Sequence, residues 1–157
     1  VLQLEQDAHG LHAEIARASD DGVCVEGELR LRHRDEAVAD EWLDIEAIRA
    51  SGRLLEQDQT AIYAGFRRMG FEFGESFRVT TARWRVVGGA LCELTLPAPL
   101  RANRAAFGLH PSLLDAALRS GLAITEDVSF DTQVPHVPFA LDTLEYRHPL
   151  PETCFAY

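Results

Sequence analysis

Apolar and polar positions alternate most strictly over 23–32. Val23, Val25, Gly27, Leu29 and Leu31 fall on one side, and Cys24, Glu26, Glu28, Arg30 and Arg32 on the other. A period of two is that of a β-strand, and one wet face is common in antiparallel sheets. Two shorter stretches precede it. Val1-Leu2-Gln3-Leu4-Glu5 leads into the turn Asp7-Ala8-His9-Gly10, and Leu11, Ala13 and Ile15 then alternate with His12, Glu14 and Ala16. The pattern predicts an antiparallel meander over 1–32.

The period changes after a charged, aperiodic stretch from His33 to Glu41, read as linker. Residues 44–50 suit a short helix. Asp58 is placed to cap a second, with Ile62, Tyr63, Phe66 and Met69 at helical spacing and Gly70 as its stop. Residues 77–87 and 90–96 read as a hairpin around Gly88-Gly89, with Ala90, Cys92, Leu94 and Leu96 on one face. A loop over 97–108 precedes a helix over 112–124, whose Leu114, Ala117, Leu118 and Gly121 are expected toward the core. Strands are expected over 137–147 and from Cys154 onward. The order of strands, helices, hairpin, helix and strands predicts an α+β fold with an antiparallel sheet.

Composition narrows the function classes. The chain has 157 residues, 46% hydrophobic and 25% charged, which is enough for one core and excludes a disordered tail. Its net charge is −10, and every basic residue is Arg. An acidic balance with no basic stripe argues against nucleic-acid binding. No apolar run is long enough for a membrane span, so no membrane role is expected. Cys24, Cys92 and Cys154 are scattered and odd in number, which suits free thiols in the cytoplasm. His9 and His12 have a ligand-like spacing but span a turn and a strand with no third ligand nearby, so a solvated pair is the better reading. No glycine-rich phosphate loop occurs; neither a metal nor a nucleotide cofactor is expected.

The segment most charged with chemistry is Gly108-Leu109-His110-Pro111-Ser112-Leu113-Leu114-Asp115-Ala116-Ala117-Leu118-Arg119. Read alone, it opens a helix: Ser112 suits the N-cap, and Asp115 three residues on completes a capping-box-like pair. That accounts for Asp115 structurally. The functional alternative is a carboxyl group at the open end of a helix wrapped by a sheet.

At this segment the sequence resembles the dehydratase domains of modular polyketide synthases. They carry His-Pro-x-Leu-Leu-Asp-x-x-x-Gln (or His) on the long helix of their second hot-dog unit, matched here by His110, Pro111, Leu113, Leu114 and Asp115. The family's Gly-Tyr-x-Tyr-Gly-Pro-x-Phe is similar to Gly70-Phe71-Glu72-Phe73-Gly74-Glu75-Ser76-Phe77, and its Leu-Pro-Phe strand to Val137-Pro138-Phe139-Ala140-Leu141. The tail 149–157 looks most like synthases served by free-standing acyltransferases.

The resemblance implies a double hot-dog fold: 1–32 as the last strands of the first unit, 33–59 as linker, and 60–157 as the second unit, lacking its end. It implies syn elimination of water from a β-hydroxyacyl chain held on the phosphopantetheine of an acyl carrier protein. A His on the first unit would take the α-proton while Asp115 protonates the departing hydroxyl. Phe73, Gly74, Phe77, His110, Pro111, Arg119, Pro138 and Phe139 would line the acyl tunnel. Implied partners are the carrier protein, neighbouring synthase domains, the first hot-dog unit and a second copy in a homodimer.

Departures from the family pattern bear on activity. No His-x-x-x-Gly-x-x-x-x-Pro motif occurs, so the chain alone lacks the base and is expected to be inactive. Phe71 and Phe73 replace tyrosines, and Glu75 a proline. Arg119 replaces Gln or His one turn after Asp115; it either reaches back to the carboxylate, which disfavours a proton donor, or swings to solvent. Two alternatives stay open: a pyran-forming cyclase or double-bond isomerase on the same fold, and a non-catalytic scaffold. Retention of the Asp argues against the isomerase.

Overall fold

A computed structural model of the chain describes residues 1–6, 8, 10–20, 22–30, 42–121 and 137–157. The chain forms two compact units, Val1–Trp42 and Leu43–Tyr157.

The first unit is the expected meander. Strands β1 (Leu2–Gln6), β2 (Leu11–Ala16) and β3 (Val23–Leu29) pair antiparallel in that order. Leu2 lies opposite Ile15, and Ile15 opposite Val25, so one face is apolar. On the other, Glu14 stands opposite Glu26 and His12 opposite both Glu5 and Glu28. The apolar face is open rather than packed: Leu2, Leu4, Ile15, Val25 and Leu29 are all exposed. His9, His33 and His136 lie outside the described residues.

In the second unit, α1 (Ile45–Ser51) is capped by the Asp44 carboxylate, which accepts from the Ala47 N–H at 2.9 Å. Strand β4 (Arg53–Glu56) then pairs with β5 (Thr80–Val86). Within the expected linker 33–59, the helix expected over 44–50 thus forms, and Arg53–Glu56 adds an edge strand to this unit. Four residues of β4 are too few for a period to be read, and only the ladder with β5 makes them a strand. Helix α2 (Gln59–Arg68) starts at Asp58, whose carboxylate accepts from the Thr60 N–H. It stops where Gly70 takes φ +88°, a left-handed conformation that glycine adopts without a Cβ clash.

Strand β5 pairs with β6 (Gly89–Thr95) through a turn at Val87-Gly88, one residue earlier than expected, because Gly88 carries the positive φ of +78°. Strand β7 (Thr153–Ala156) completes the antiparallel order β4-β5-β6-β7. After β6 come a short helix, α3 (Ala98–Arg101), and a 3₁₀ turn (Arg104–Ala106). No strand forms over 137–147. Val137, Phe139 and Leu141 are exposed there and pair with no described strand; alternation becomes a strand only where a neighbour offers a ladder.

Helix α4 (Pro111–Ser120) packs on the sheet. Its Leu113 and Ala116 join Val79, Cys92, Leu94 and Leu96 in one buried cluster. The buried face thus lies one position from the expected one: Leu118 is exposed, Leu114 and Ala117 are half-buried and Gly121 is exposed, while Ser112, Leu113, Ala116 and Arg119 are buried. Helical structure ends within one residue of Ser120, and 122–124 lie outside the described residues. A second cluster unites Ile62, Tyr63 and Phe66 of α2 with Met69, Phe71 and Phe73.

Candidate active site

The start of α4 is built by His110, not Ser112. His110 is the N-cap, its Nδ1 accepting from the Ser112 N–H at 3.3 Å, with Pro111 at the first helical position. Proline suits that position because its missing N–H would have no helical partner there. His110 is buried, with the Phe107 ring edge-on at 5.1 Å. An accepting Nδ1 requires the neutral ring with its proton on Nε2. Burial likewise pushes the imidazole below its usual range.

A pH effect follows from the sign of that shift. The unfolded histidine takes a proton near about pH 6.5, while the folded one resists it. His110 therefore contributes full stability above that value and loses it as the pH falls below. Asn also caps helices well and does not titrate. His110→Asn should show a smaller loss of melting temperature between about pH 7.5 and 5.5 than the parent. An equal loss in both proteins would rule His110 out as the source.

With the cap assigned to His110, Asp115 is released from the capping-box role. Its carboxylate meets Arg119 one turn on: Nε donates to Oδ2 at 2.9 Å, and Nη2 lies 2.9 Å from the same oxygen. The two side chains differ sharply in exposure, 41% for Asp115 and 7% for Arg119. Arg119 thus turns inward, the first of its two expected directions. Its Nη2 also donates to the Phe77 carbonyl at 3.1 Å, and its guanidinium carbon sits 3.9 Å from the Phe73 ring centroid and 5.3 Å from that of Phe66. Nη1 is buried without a hydrogen-bond partner.

An aromatic nest holds this cation. Phe73 meets Phe66 edge-on at 5.3 Å and Tyr63 at 6.0 Å, and stacks on Phe71 at 5.9 Å. The Tyr63 hydroxyl accepts from the Thr80 N–H and donates to the Phe77 carbonyl, both at 3.1 Å. Arg78 Nε donates to the Phe73 carbonyl at 2.9 Å. Tyr63 and Phe66 belong to the site although their spacing reads as plain core; no sequence signal separates the two roles.

Of the residues expected along a tunnel, Phe73, Phe77 and Arg119 stand together beside Asp115. His110 and Pro111 sit at the start of the same helix, with His110 turned to Phe107. Gly74 is exposed, with no atom within 4 Å of where a Cβ would stand. Pro138 and Phe139 are not brought to the site: Phe139 is 99% exposed and Pro138 is exposed beside it. Among the described residues no three His, Cys, Asp or Glu side chains converge as metal ligands, and no helix is long and apolar enough to cross a membrane. Cys24, Cys92 and Cys154 are free thiols, and burial pushes the latter two above the usual range.

Residues 43–157, which carry this site, match the family described as polyketide synthase dehydratase N-terminal domain. The chain belongs to the polyketide synthase dehydratase family. It is 31% identical over 98 residues to polyketide synthase PksM of Bacillus subtilis (strain 168), a match covering 60% of this chain and 2% of PksM. An inactive His-to-Phe mutant of the CurK dehydratase superposes with a TM-score of 0.76 at 24% identity, over 98% of this chain and 53% of that one. An inactive Asp-to-Asn mutant of the same dehydratase gives 0.62 at 24% identity, over 78% and 45%. The chain thus spans about half of these solved dehydratases and a small fraction of the synthase, and its fold is the hot-dog α+β fold of dehydratase domains.

Proposed function

We propose that the complete dehydratase domain to which this chain contributes eliminates water from a β-hydroxyacyl chain carried on the phosphopantetheine of an acyl carrier protein. The observation that carries this reading is that Asp115 is not used as a helix cap. Its carboxylate stands 41% exposed beside the aromatic nest and lies on the helix that opens with His-Pro. In the proposed step a histidine outside this chain takes the α-proton, the Cα–Cβ π bond forms as the Cβ–O bond breaks, and Asp115 delivers the proton that makes the departing hydroxide water. Two-sided proton transfer suits a weak carbon acid with a poor leaving group. That a His-to-Phe and an Asp-to-Asn mutant of the CurK dehydratase are inactive supports a His and Asp pair.

We assign residues 43–157 to the second hot-dog unit on the strength of the Asp115 motif, although the family description speaks of an N-terminal domain. Proposed partners are the first hot-dog unit, neighbouring synthase domains, the carrier protein and a second copy. No cofactor beyond the carrier's own arm enters the reading. The Arg119–Asp115 ion pair favours a second reading, in which Asp115 does not act as an acid and the site belongs to a cyclase that adds a hydroxyl across an existing double bond, or to a non-catalytic scaffold.

Incubation of the complete domain with a β-hydroxyacyl carrier protein, followed by mass spectrometry for loss of water, tests the assignment. The complete domain should turn over and the 157-residue chain alone should not. Turnover by the chain alone would place a base within it. Cyclisation, at unchanged mass, of an α,β-unsaturated acyl chain that carries a distal hydroxyl would favour the second reading.

A further inference from the structure

Arg119 is an odd residue to find buried. Arginine is rarely enclosed unless paired, and this one spends its contacts on three different elements. It meets the Asp115 carboxylate on its own helix, the Phe77 carbonyl in the 3₁₀ turn (Glu75–Phe77), and the face of Phe73 in the segment after α2. Enclosure on the ring face and at 7% exposure leaves it little freedom to release Asp115. Two of its nitrogens lie on Oδ2. That oxygen therefore acts as an acceptor, and a proton for donation has to be carried by Oδ1.

We propose that Arg119 is a positioning residue that holds Asp115 as a charged hydrogen-bond acceptor and so restrains its donation of a proton. The proposal rests on the dehydratase reading above and adds a brake to that same site. A carboxyl group must be protonated before it can serve as the acid, and a guanidinium at hydrogen-bond distance favours the ionised form. Arg78 stands at the same nest, its Nε donating to the Phe73 carbonyl and its guanidinium carbon 6.0 Å from the Tyr63 ring centroid. Glu75 stands in the 3₁₀ turn that α4 packs against; from the sheet come Glu93, which accepts from the Thr81 hydroxyl, and the neutral thiols Cys92 and Cys154. Asp115 has Arg119 as its one ion-pair partner among the described residues.

The test uses the complete domain with a β-hydroxyacyl carrier protein, measuring kcat and KM for water loss at one pH for the parent, Arg119→Gln and Arg119→Lys. Glutamine keeps an N–H donor for Asp115 or the Phe77 carbonyl and removes the charge; lysine keeps the charge. Arg119→Gln should raise kcat by roughly tenfold, with KM for the acyl carrier changed less than about twofold, and Arg119→Lys should not raise it.

An unchanged or lowered kcat in a folded Arg119→Gln would overturn the brake, and so would a rise in Arg119→Lys, which keeps the charge; in both cases elimination by the parent leaves the dehydratase reading intact. Failure of both parent and Arg119→Gln to release water, with both melting cooperatively and binding the acyl carrier protein, would instead sink the dehydratase reading and the brake with it.

Discussion

Asp115→Asn in the complete domain should lower the rate of water loss by roughly 10²–10⁴-fold, measured by mass spectrometry at the pH where the parent is fastest. Asparagine keeps the size of the side chain and an oxygen for Arg119, and cannot act as a carboxylic acid. The variant is not silent in stability. Arg119 is buried at 7% exposure and loses its counter-charge, so unfolding should become easier by about 1–3 kcal/mol. Rates are therefore compared at a temperature where both proteins are folded by circular dichroism. Turnover equal to the parent would make Asp115 a structural partner of Arg119 and give the role of acid to another group.

The sequence made local structure legible wherever a short-range rule decides it. Asp44 and Asp58 cap helices because a carboxylate before a helical run has unpaired N–H groups to accept from, and both do so. Gly70 and Gly88 mark positive φ for the same local reason. The alternation over 1–32 gave the meander and its apolar and polar faces. Legibility failed where a partner distant in the chain decides the outcome. The alternation over 137–147 is as good as that of β2, yet no described strand lies beside it to form a ladder. Residues 53–56 carry no periodic signal, and their pairing with β5 alone makes them β4.

The site shows the same division. Asp115 was legible as a candidate from its motif, and its i,i+4 neighbour Arg119 as one of two possibilities. What chose between them is the nest of Phe66 and Phe73, whose ring faces attract a cation, and the Phe77 carbonyl, a backbone acceptor that no pattern advertises. The capping box was a sound local rule beaten by another local rule. Proline at the first helical position moves the cap to the residue before it, and His110 has a ring nitrogen at the right reach. That displacement leaves the Asp115 carboxylate to pair with Arg119.

The same shift of register gives the largest expected change in stability. Leu113 is fully buried against Val79, Cys92, Leu94 and Leu96, whereas Leu118 is 42% exposed. Leu113→Ala removes buried methyl groups and leaves a cavity between α4 and the sheet, which should cost about 2–5 kcal/mol. In a protein of this size the melting midpoint should fall by roughly 5–15 °C. Leu118→Ala removes the same atoms from a half-open position and should cost under about 1 kcal/mol. Read from sequence, the two leucines trade places, because Leu114, Ala117 and Leu118 form a more regular apolar stripe than Leu113 and Ala116, which share their buried face with Ser112 and Arg119. Burial of Arg119 on that face is offset by Asp115 and the Phe73 ring. Thermal melts of the two variants in one buffer therefore measure the rotation of α4 directly. Equal losses, or the larger one in Leu118→Ala, would turn the helix back by one position and take the Arg119–Asp115 geometry with it.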